Sequence, residues 1–397
     1  MISQRQLFLN HLAQTTDFPL SLEIEKAEGV YLYARGGKKY LDLISGISVS
    51  NVGHRHPKVI HAIQEQLDKY LHLMVYGEYI QYPQVQLARR LSERMGEGFE
   101  SVYFVNSGSE ATEGALKLAR RYTGRPEIIY MDKAYHGSTS GALSVIGDEG
   151  FKRAFRPLAP GSRSIRFNDL NDISSITTRT AAVIVEPVQG EAGYIPPAPA
   201  YLQALRKKCN ETGSLLIFDE VQTGFGRTGS LFAFQKLGVQ PNIITLAKGM
   251  GGGMPLGAFV TSKRIMDCLK QDPILGHITT FGGHPVSCAS SLAALEVIER
   301  EKLAEQVDAK STQFHELLQH PAIQELRGEG LMLALQLDTF ENLQKVIENC
   351  LEDGLITDWF LFCDNAMRIS PPLTISTDEI REACGIILKA LDAVYSR

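Results

Sequence analysis

Between about residues 100 and 260, short apolar runs rich in β-branched residues alternate with longer amphipathic stretches. The short runs are SVYFV, EIIYM, AAVIVEP, LLIFDEV and NIITLAKG; among the longer ones are EATEGALKLARRY and PAYLQALRKKCNE, with apolar positions at helical spacing. This alternation predicts βαβ units around a buried parallel sheet. Upstream, VYLYARGGKKYLDLISGISV reads as strands joined by a turn at Gly36 and Gly37. The Gly- and Pro-punctuated GHRHP follows, then a helix over about 58–72. Downstream, SCASSLAALEVIEREKLAEQV reads as helical, with RGEGLMLALQL and MRISPP as strands. The plan is a large central domain over 61–285 and a smaller α+β domain assembled from both chain ends, 1–60 and 286–397. No internal repeat and no Ser/Gly/Pro-rich linker marks the boundaries.

The chain has 397 residues, 44% of them hydrophobic and 21% charged, with 35 Gly and 17 Pro, which excludes collagen-like, low-complexity and disordered classes. A net charge of -5 with no basic block gives no footprint for nucleic acid. The six cysteines (Cys209, Cys268, Cys288, Cys350, Cys363, Cys384) form no CxxC pair and are widely spaced, which predicts reduced thiols rather than a disulfide or zinc framework. The N-terminal stretch lacks an apolar signal core, and no run of about 18 uncharged apolar residues occurs. A cytoplasmic protein without a membrane span is expected.

Three of the buried-strand candidates end in one polar residue each: Glu186, Asp219 and Lys248. Ligands of open α/β sheets bind beyond the carboxyl ends of the strands, so these side chains are placed to converge. Any one acid could instead be a helix cap or half of a salt bridge; the three together favour a site. Lys248 precedes the glycine-dense GMGGGMPLG, which lets backbone approach a bulky flat ligand and leaves the amine accessible. A lysine whose ammonium is destabilised by burial can act as an uncharged nucleophile toward an aldehyde. Neither a P-loop nor a dinucleotide fingerprint is present. The turn Asn106-Ser107-Gly108-Ser109 leads from SVYFV into a helix starting near Glu110, either as a capping box on Ser109 or as a phosphate cradle. A cofactor with a phosphate, an aldehyde and a basic ring nitrogen would use the cradle, Lys248 and Asp219 together.

These residues stand in segments that resemble the class III (ω-amino) aminotransferases, which include the acetylornithine, ornithine and 4-aminobutyrate enzymes. The resemblance runs in order through GVYLYARGGKKYLDLISGISVSNVGHRHP, FVNSGSEATEGALKLAR, YHGS, VIVEPVQGEAGYIPP, LLIFDEVQTGFGRTG, ITLAKGMGGGMPLGA, TTFGGHPVSCAS and MRISPP. It implies a fold-type I transferase and the cofactor pyridoxal 5′-phosphate, with Lys248 as the Schiff-base lysine and proton carrier. It implies Asp219 on the pyridinium nitrogen, Val221 and Tyr135 on the two ring faces, and Gln222 on the phenolic oxygen. Gly108 and Ser109 would hold the phosphate, Glu186 would stand with the cofactor-binding set, and Thr280 would be lent across a homodimer to the same phosphate. Arg368 would clamp a substrate carboxylate and Glu191 would cover that arginine as a switching pair, allowing both a terminal amine and a 2-oxo diacid such as 2-oxoglutarate to use one pocket.

One position departs from the family. Many members carry an arginine after the HG of this motif, where it binds the donor's distal carboxylate; here Tyr135-His136-Gly137 is followed by Ser138. That removes a contact of about 1.5–3 kcal/mol and makes a diamine or another ω-amino compound a contender beside acetylornithine. Arg153, Arg156 or Arg163 could substitute from a loop. His54 and His56 form an H-x-H pair without a third ligand at metal spacing, so no metal is expected. His136 reads as support beside the ring and His284 as a turn residue. The rival readings are another pyridoxal-phosphate reaction, an aminomutase or decarboxylase, and a catalytically dead binding module, which the intact lysine and phosphate turn disfavour.

Overall fold

In the computed structural model, which describes residues 3–395, the first sheet is built from β1 (Ile24–Glu28), β2 (Tyr31–Ala34) and β3 (Lys39–Asp42). Gly36 and Gly37 turn the chain between β2 and β3 at φ 91° and 86°, a region that favours glycine. The central apolar runs supply β4 (Ser101–Val105), β5 (Glu127–Met131), β6 (Ser162–Ile165), β7 (Thr180–Val185), β8 (Leu215–Asp219), β9 (Ile243–Leu246) and β10 (Gly257–Thr261). They form one seven-stranded sheet in the order β4-β10-β9-β8-β7-β5-β6. β10 is antiparallel to both neighbours and the other pairings are parallel. This is the mostly parallel α/β architecture expected from the alternation.

The central strands β7, β8, β9 and β10 are buried on both faces, so alternate residues along them feed two different cores. Val183, Val185, Leu216 and Phe218 join one apolar cluster, whereas Ala182, Ile184, Leu215 and Ile217 join the other. The helix Gly108–Thr123 lies against the second face, and a Cβ on Gly114 would come within 2.2 Å of the Phe259 ring, so glycine sets the helix-to-sheet distance.

The C-terminal part adds β11 (Glu325–Glu329), β12 (Met332–Gln336), β13 (Leu355–Ile356), β14 (Trp359–Phe360) and β15 (Cys363–Ile369). β11, β12, β15 and β14 make a second small sheet, while β13 leaves it and pairs in parallel with β3, Leu355 opposite Leu41. Both chain ends therefore share one sheet. Helix Pro57–Leu67 packs against helix Pro285–Arg300. No helix among the described residues is long and apolar enough to cross a membrane.

The segment ISGISV does not continue as strand. Ser45, Gly46, Ile47 and Ser48 have φ of 47°, 63°, 61° and 62°, a left-handed turn that costs the non-glycine residues roughly 1–2 kcal/mol each. Its surroundings over-determine it. Asp42 Oδ1 accepts from the backbone N–H groups of Ile44 and Ser45, both at 2.8 Å, and Ser45 Oγ donates to the Ser370 carbonyl at 2.7 Å. The fully buried Arg227, on the loop after β8, donates to Asn51 Oδ1 at 2.6 Å and to the carbonyls of Leu331 and Pro371 at 3.1 and 2.5 Å. One guanidinium thus joins three distant stretches of chain.

Candidate active site

β7, β8 and β9 are adjacent and parallel, so Glu186, Asp219 and Lys248 emerge at the same edge of the sheet. β5 delivers Tyr135 and His136 to that edge from the far side of β7, and β4 delivers the turn at Ser107. Because β10 runs the other way, its entry segment, 253–256, also lies there. These residues enclose a cavity of about 510 Å³, with Val49, Val188 and Leu256 among its apolar walls. Of the residues expected from sequence, Gly108, Ser109, Tyr135, Glu186, Glu191, Asp219, Val221, Gln222 and Lys248 line it.

Asp219 is held at both oxygens: Val221 N donates to Oδ1 at 3.0 Å and His136 Nδ1 donates to Oδ2 at 2.7 Å. Burial alone would pull the His136 imidazolium down, but the hydrogen bond and charge of Asp219, with the Glu186 carboxylate nearby, outweigh it and hold it above the ordinary value. His136 Nε2 and Gln222 Oε1 are buried without a hydrogen-bond partner among the described residues. Glu186 accepts from Tyr135 N at 3.1 Å and from Gly190 N at 2.9 Å. Burial, with the Asp219 carboxylate adding to it, pushes its carboxyl up to about 7 against the opposing pull of His136 and the two amides.

Lys248 is half-buried and itself in the left-handed region, φ 50°. Burial depresses its ammonium; Arg368 acts in the same direction, and the carboxylates of Glu191, Asp219 and Glu186 oppose them. That is the environment that leaves a lysine amine available as a nucleophile and base.

The helix at the cavity starts at Gly108, two residues earlier than expected, with Ser107 rather than Ser109 as its N-cap: Ser107 Oγ accepts from Glu110 N at 3.2 Å. Ser109 Oγ instead accepts from Ser138 N at 3.2 Å. A Cβ at Gly137, φ 123°, would fall 2.2 Å from Ser109 Oγ, so the loop can pass the helix only as glycine.

Arg368 lies behind Glu191, outside the cavity wall and 2% exposed. Its Nη2 donates to Glu191 Oε2 at 2.9 Å, Nε to Asp358 Oδ1 at 2.8 Å and Nη1 to Tyr194 Oη at 3.3 Å. Burial would raise the Glu191 carboxyl, but Arg368 holds it below its ordinary value.

Other expected residues lie elsewhere. Thr280 is exposed and does not line this chain's cavity; its neighbour Thr279 accepts from Asn106 Nδ2 at 3.3 Å. Arg156 pairs with Glu149 and Arg163 with Glu127, Arg153 sits in an exposed turn, and none of the three lines the cavity. Ser138 Oγ is 3.2 Å from Tyr135 Oη. His54 binds Asp42 at 2.8 Å and His56 faces Glu301 at 3.4 Å, so the two imidazoles serve different carboxylates. His284 caps helix Pro285–Arg300, accepting from Val286 N at 3.3 Å.

Sequence reasoning missed the partners of two of these groups. His136 and Asp219 stand 83 positions apart, and Asp358 belongs to no recognisable motif; only folding brings each to its partner. Glu220, the residue after Asp219, does not line the cavity and accepts from Ala233 N and Phe234 N at 2.6 and 2.8 Å, so it caps a helix.

The donor set fits a flat phosphorylated aldehyde with a basic ring nitrogen. A helix N-terminus, an accessible amine, a carboxylate anchored at both oxygens and an unpartnered amide face one cavity. The family model for Aminotransferase class-III matches residues 12–391. An acetylornithine aminotransferase of Clostridium acetobutylicum is 39% identical over 94% of this chain and 96% of its own length. Among solved structures, the ornithine aminotransferase of Toxoplasma gondii, described with partial occupancy of pyridoxal phosphate, is 31% identical with a TM-score of 0.91 over 98% of this chain and 93% of that one. A pyridoxal-phosphate-bound amine transaminase from an uncultivated Pseudomonas species is 30% identical, with a TM-score of 0.88 over 98% of both chains.

Proposed function

Because the chain belongs to the class-III aminotransferases, enzymes that use pyridoxal 5′-phosphate, we propose that it moves an amino group from an ω-amino donor to a 2-oxo acid, 2-oxoglutarate first among them. When bound, the cofactor supplies an electron-withdrawing ring that makes the C–H bond beside the transferred nitrogen acidic. The chain's own residues do the rest. Lys248 would hold the cofactor's aldehyde carbon and then, through Nζ, take and return the proton on the donor carbon. Asp219, oriented by His136 and Val221, would keep a proton on the ring nitrogen. Val221 and Tyr135 would flank the ring, Gln222 would meet the phenolic oxygen, and the helix start at Gly108 and Ser109 would take the phosphate. Glu186 would hold Tyr135 and the loop at Gly190 in place around the cofactor.

At the substrate end Arg368 would bind the acceptor's carboxylate once Glu191 moves aside, a planar fork matched to a carboxylate. Among the described residues that line the cavity, Lys248 is the one lysine or arginine, and Ser138 stands where many members carry the donor-binding arginine. A diamine therefore stands as a candidate donor beside acetylornithine. Thr280 would serve the phosphate of a second copy of this chain; its exposure beside exposed Ile278 and Phe281 supports a homodimer with composite sites. We take 61–285 as the cofactor-binding domain and both ends as the second, although a cut at 60 falls within helix Pro57–Leu67.

The observation that carries this reading is the meeting of Lys248, Asp219 and the helix N-terminus in one cavity closed by Glu191. The test is a pair of half-reactions on purified holoenzyme followed by absorbance. An ω-amino donor, from a panel of N-acetylornithine, ornithine, 4-aminobutyrate and putrescine, should convert the aldehyde form to the amine form, and 2-oxoglutarate or pyruvate should restore it. Failure of every 2-oxo acid to restore the aldehyde form rejects transamination in favour of an aminomutase or decarboxylase.

A further inference from the structure

Arg368 carries two carboxylates, and they are not equivalent. Glu191 lines the cavity and reaches Nη2; Asp358 does not line it and reaches Nε at 2.8 Å. Backbone pairing fixes Asp358 to its arginine: the Arg368 amide donates to the Asp358 carbonyl at 2.8 Å, and Trp359 pairs with Met367. The next residues close over the group. The guanidinium carbon lies 4.4 Å from the centre of the Phe360 ring, Leu361 N donates to Glu191 Oε2 at 3.3 Å, and Phe362 N donates to the Glu191 carbonyl at 3.0 Å.

A guanidinium this buried cannot lose its only counter-ion without a large desolvation penalty. If Glu191 were that counter-ion, its departure for a substrate carboxylate would pass through an isolated buried cation. We propose that Asp358 is the standing counter-ion of Arg368: it stays on Nε when Glu191 leaves Nη2, so the pair opens for an acceptor carboxylate without exposing an unpaired charge. Held at Nε, the guanidinium also keeps its Nη edge turned toward Glu191. Asp358 is on this account a positioning residue for the acceptor half-reaction. It has no role in the donor half-reaction, during which Glu191 remains in place. The inference rests on Arg368 as the carboxylate clamp of the proposed function.

The test compares wild-type, Asp358→Asn and Arg368→Gln holoenzymes, measuring each half-reaction separately by stopped-flow absorbance. Asparagine keeps the volume and an oxygen that can accept from Nε, but not the charge. The acceptor half-reaction of Asp358→Asn with 2-oxoglutarate should slow by about tenfold or more, with the donor half-reaction within about twofold of wild type. Asp358→Glu, which keeps the charge, should recover most of the loss, and it carries the comparison if the asparagine variant does not fold. Equal effects of Asp358→Asn on both half-reactions, or none, overturn the inference. An Arg368→Gln enzyme that retains its acceptor half-reaction overturns the clamp itself; loss there with no effect of Asp358→Asn removes only the counter-ion role. Binding of glutarate, which cannot react, gives an activity-independent check: its association should be slower in Asp358→Asn.

Discussion

Glu186→Gln makes the buried carboxyl of the cavity measurable through stability alone. Glu186 is 6% exposed, and burial lifts its pKa from 4.5 to about 7. Between those values the folded chain holds a proton that the unfolded chain has released, so the stability of the wild type falls as pH rises from 4.5 to about 7. A displacement of this size corresponds to about 3 kcal/mol at most. Glutamine cannot ionise, so the variant lacks that slope. It starts below the wild type at low pH, because an amide can satisfy only one of the two N–H groups now bound, those of Tyr135 and Gly190. The gap should then narrow or reverse as pH rises. Urea unfolding of both cofactor-free proteins at half-unit steps from pH 4.5 to 7.5 gives the difference, in which most other titrating groups cancel. A difference independent of pH, or one in which the wild type gains on the variant as pH rises, would refute the assignment of the proton to Glu186.

Lys248→Ala should abolish both half-reactions while leaving the unfolding free energy from urea titration within about 1 kcal/mol of wild type, since the residue makes its contribution to chemistry from a cavity wall. Gly137→Ala should cost roughly 2–4 kcal/mol and weaken cofactor affinity, because the added methyl meets Ser109 and the φ of 123° disfavours any side chain; titration of the apoprotein with pyridoxal phosphate, together with a melt, reads both. Ser138→Arg should raise kcat/KM for N-acetylornithine over putrescine by roughly tenfold to a hundredfold, the worth of one charge-assisted contact; an unchanged ratio would mean that position 138 does not face the donor.

The strands whose both faces are buried were legible because they are continuous apolar runs, as at LLIFD and TAAVIV. Two strands of the same sheet were not. β6, SRSI, is an edge strand with three polar residues, and β10, GAFVT, is framed by glycine and proline that read as loop. ISGISV has the alternation of a strand, yet Asp42, Ser370 and Arg227 bend it left-handed, and no local rule anticipates Arg227 and Ser370, which lie 182 and 325 positions from Ser45. The site shows the same division. Residues on strand ends and in glycine turns could be placed from sequence, whereas the hydrogen bond of His136 to Asp219 and that of Asp358 to Arg368 exist only across the folded chain.

Arg227 also bears on how the molecule comes into being. During synthesis the stretch around β8 leaves the ribosome well before Leu331 and Pro371, so this arginine emerges without two of its carbonyl acceptors, just as β3 emerges without β13. The central sheet can form early, but the arginine lock that joins it to the N-terminal segment closes only when the tail arrives. Truncated chains that lack the last strands should accumulate as loosened, protease-sensitive species rather than as smaller working enzymes.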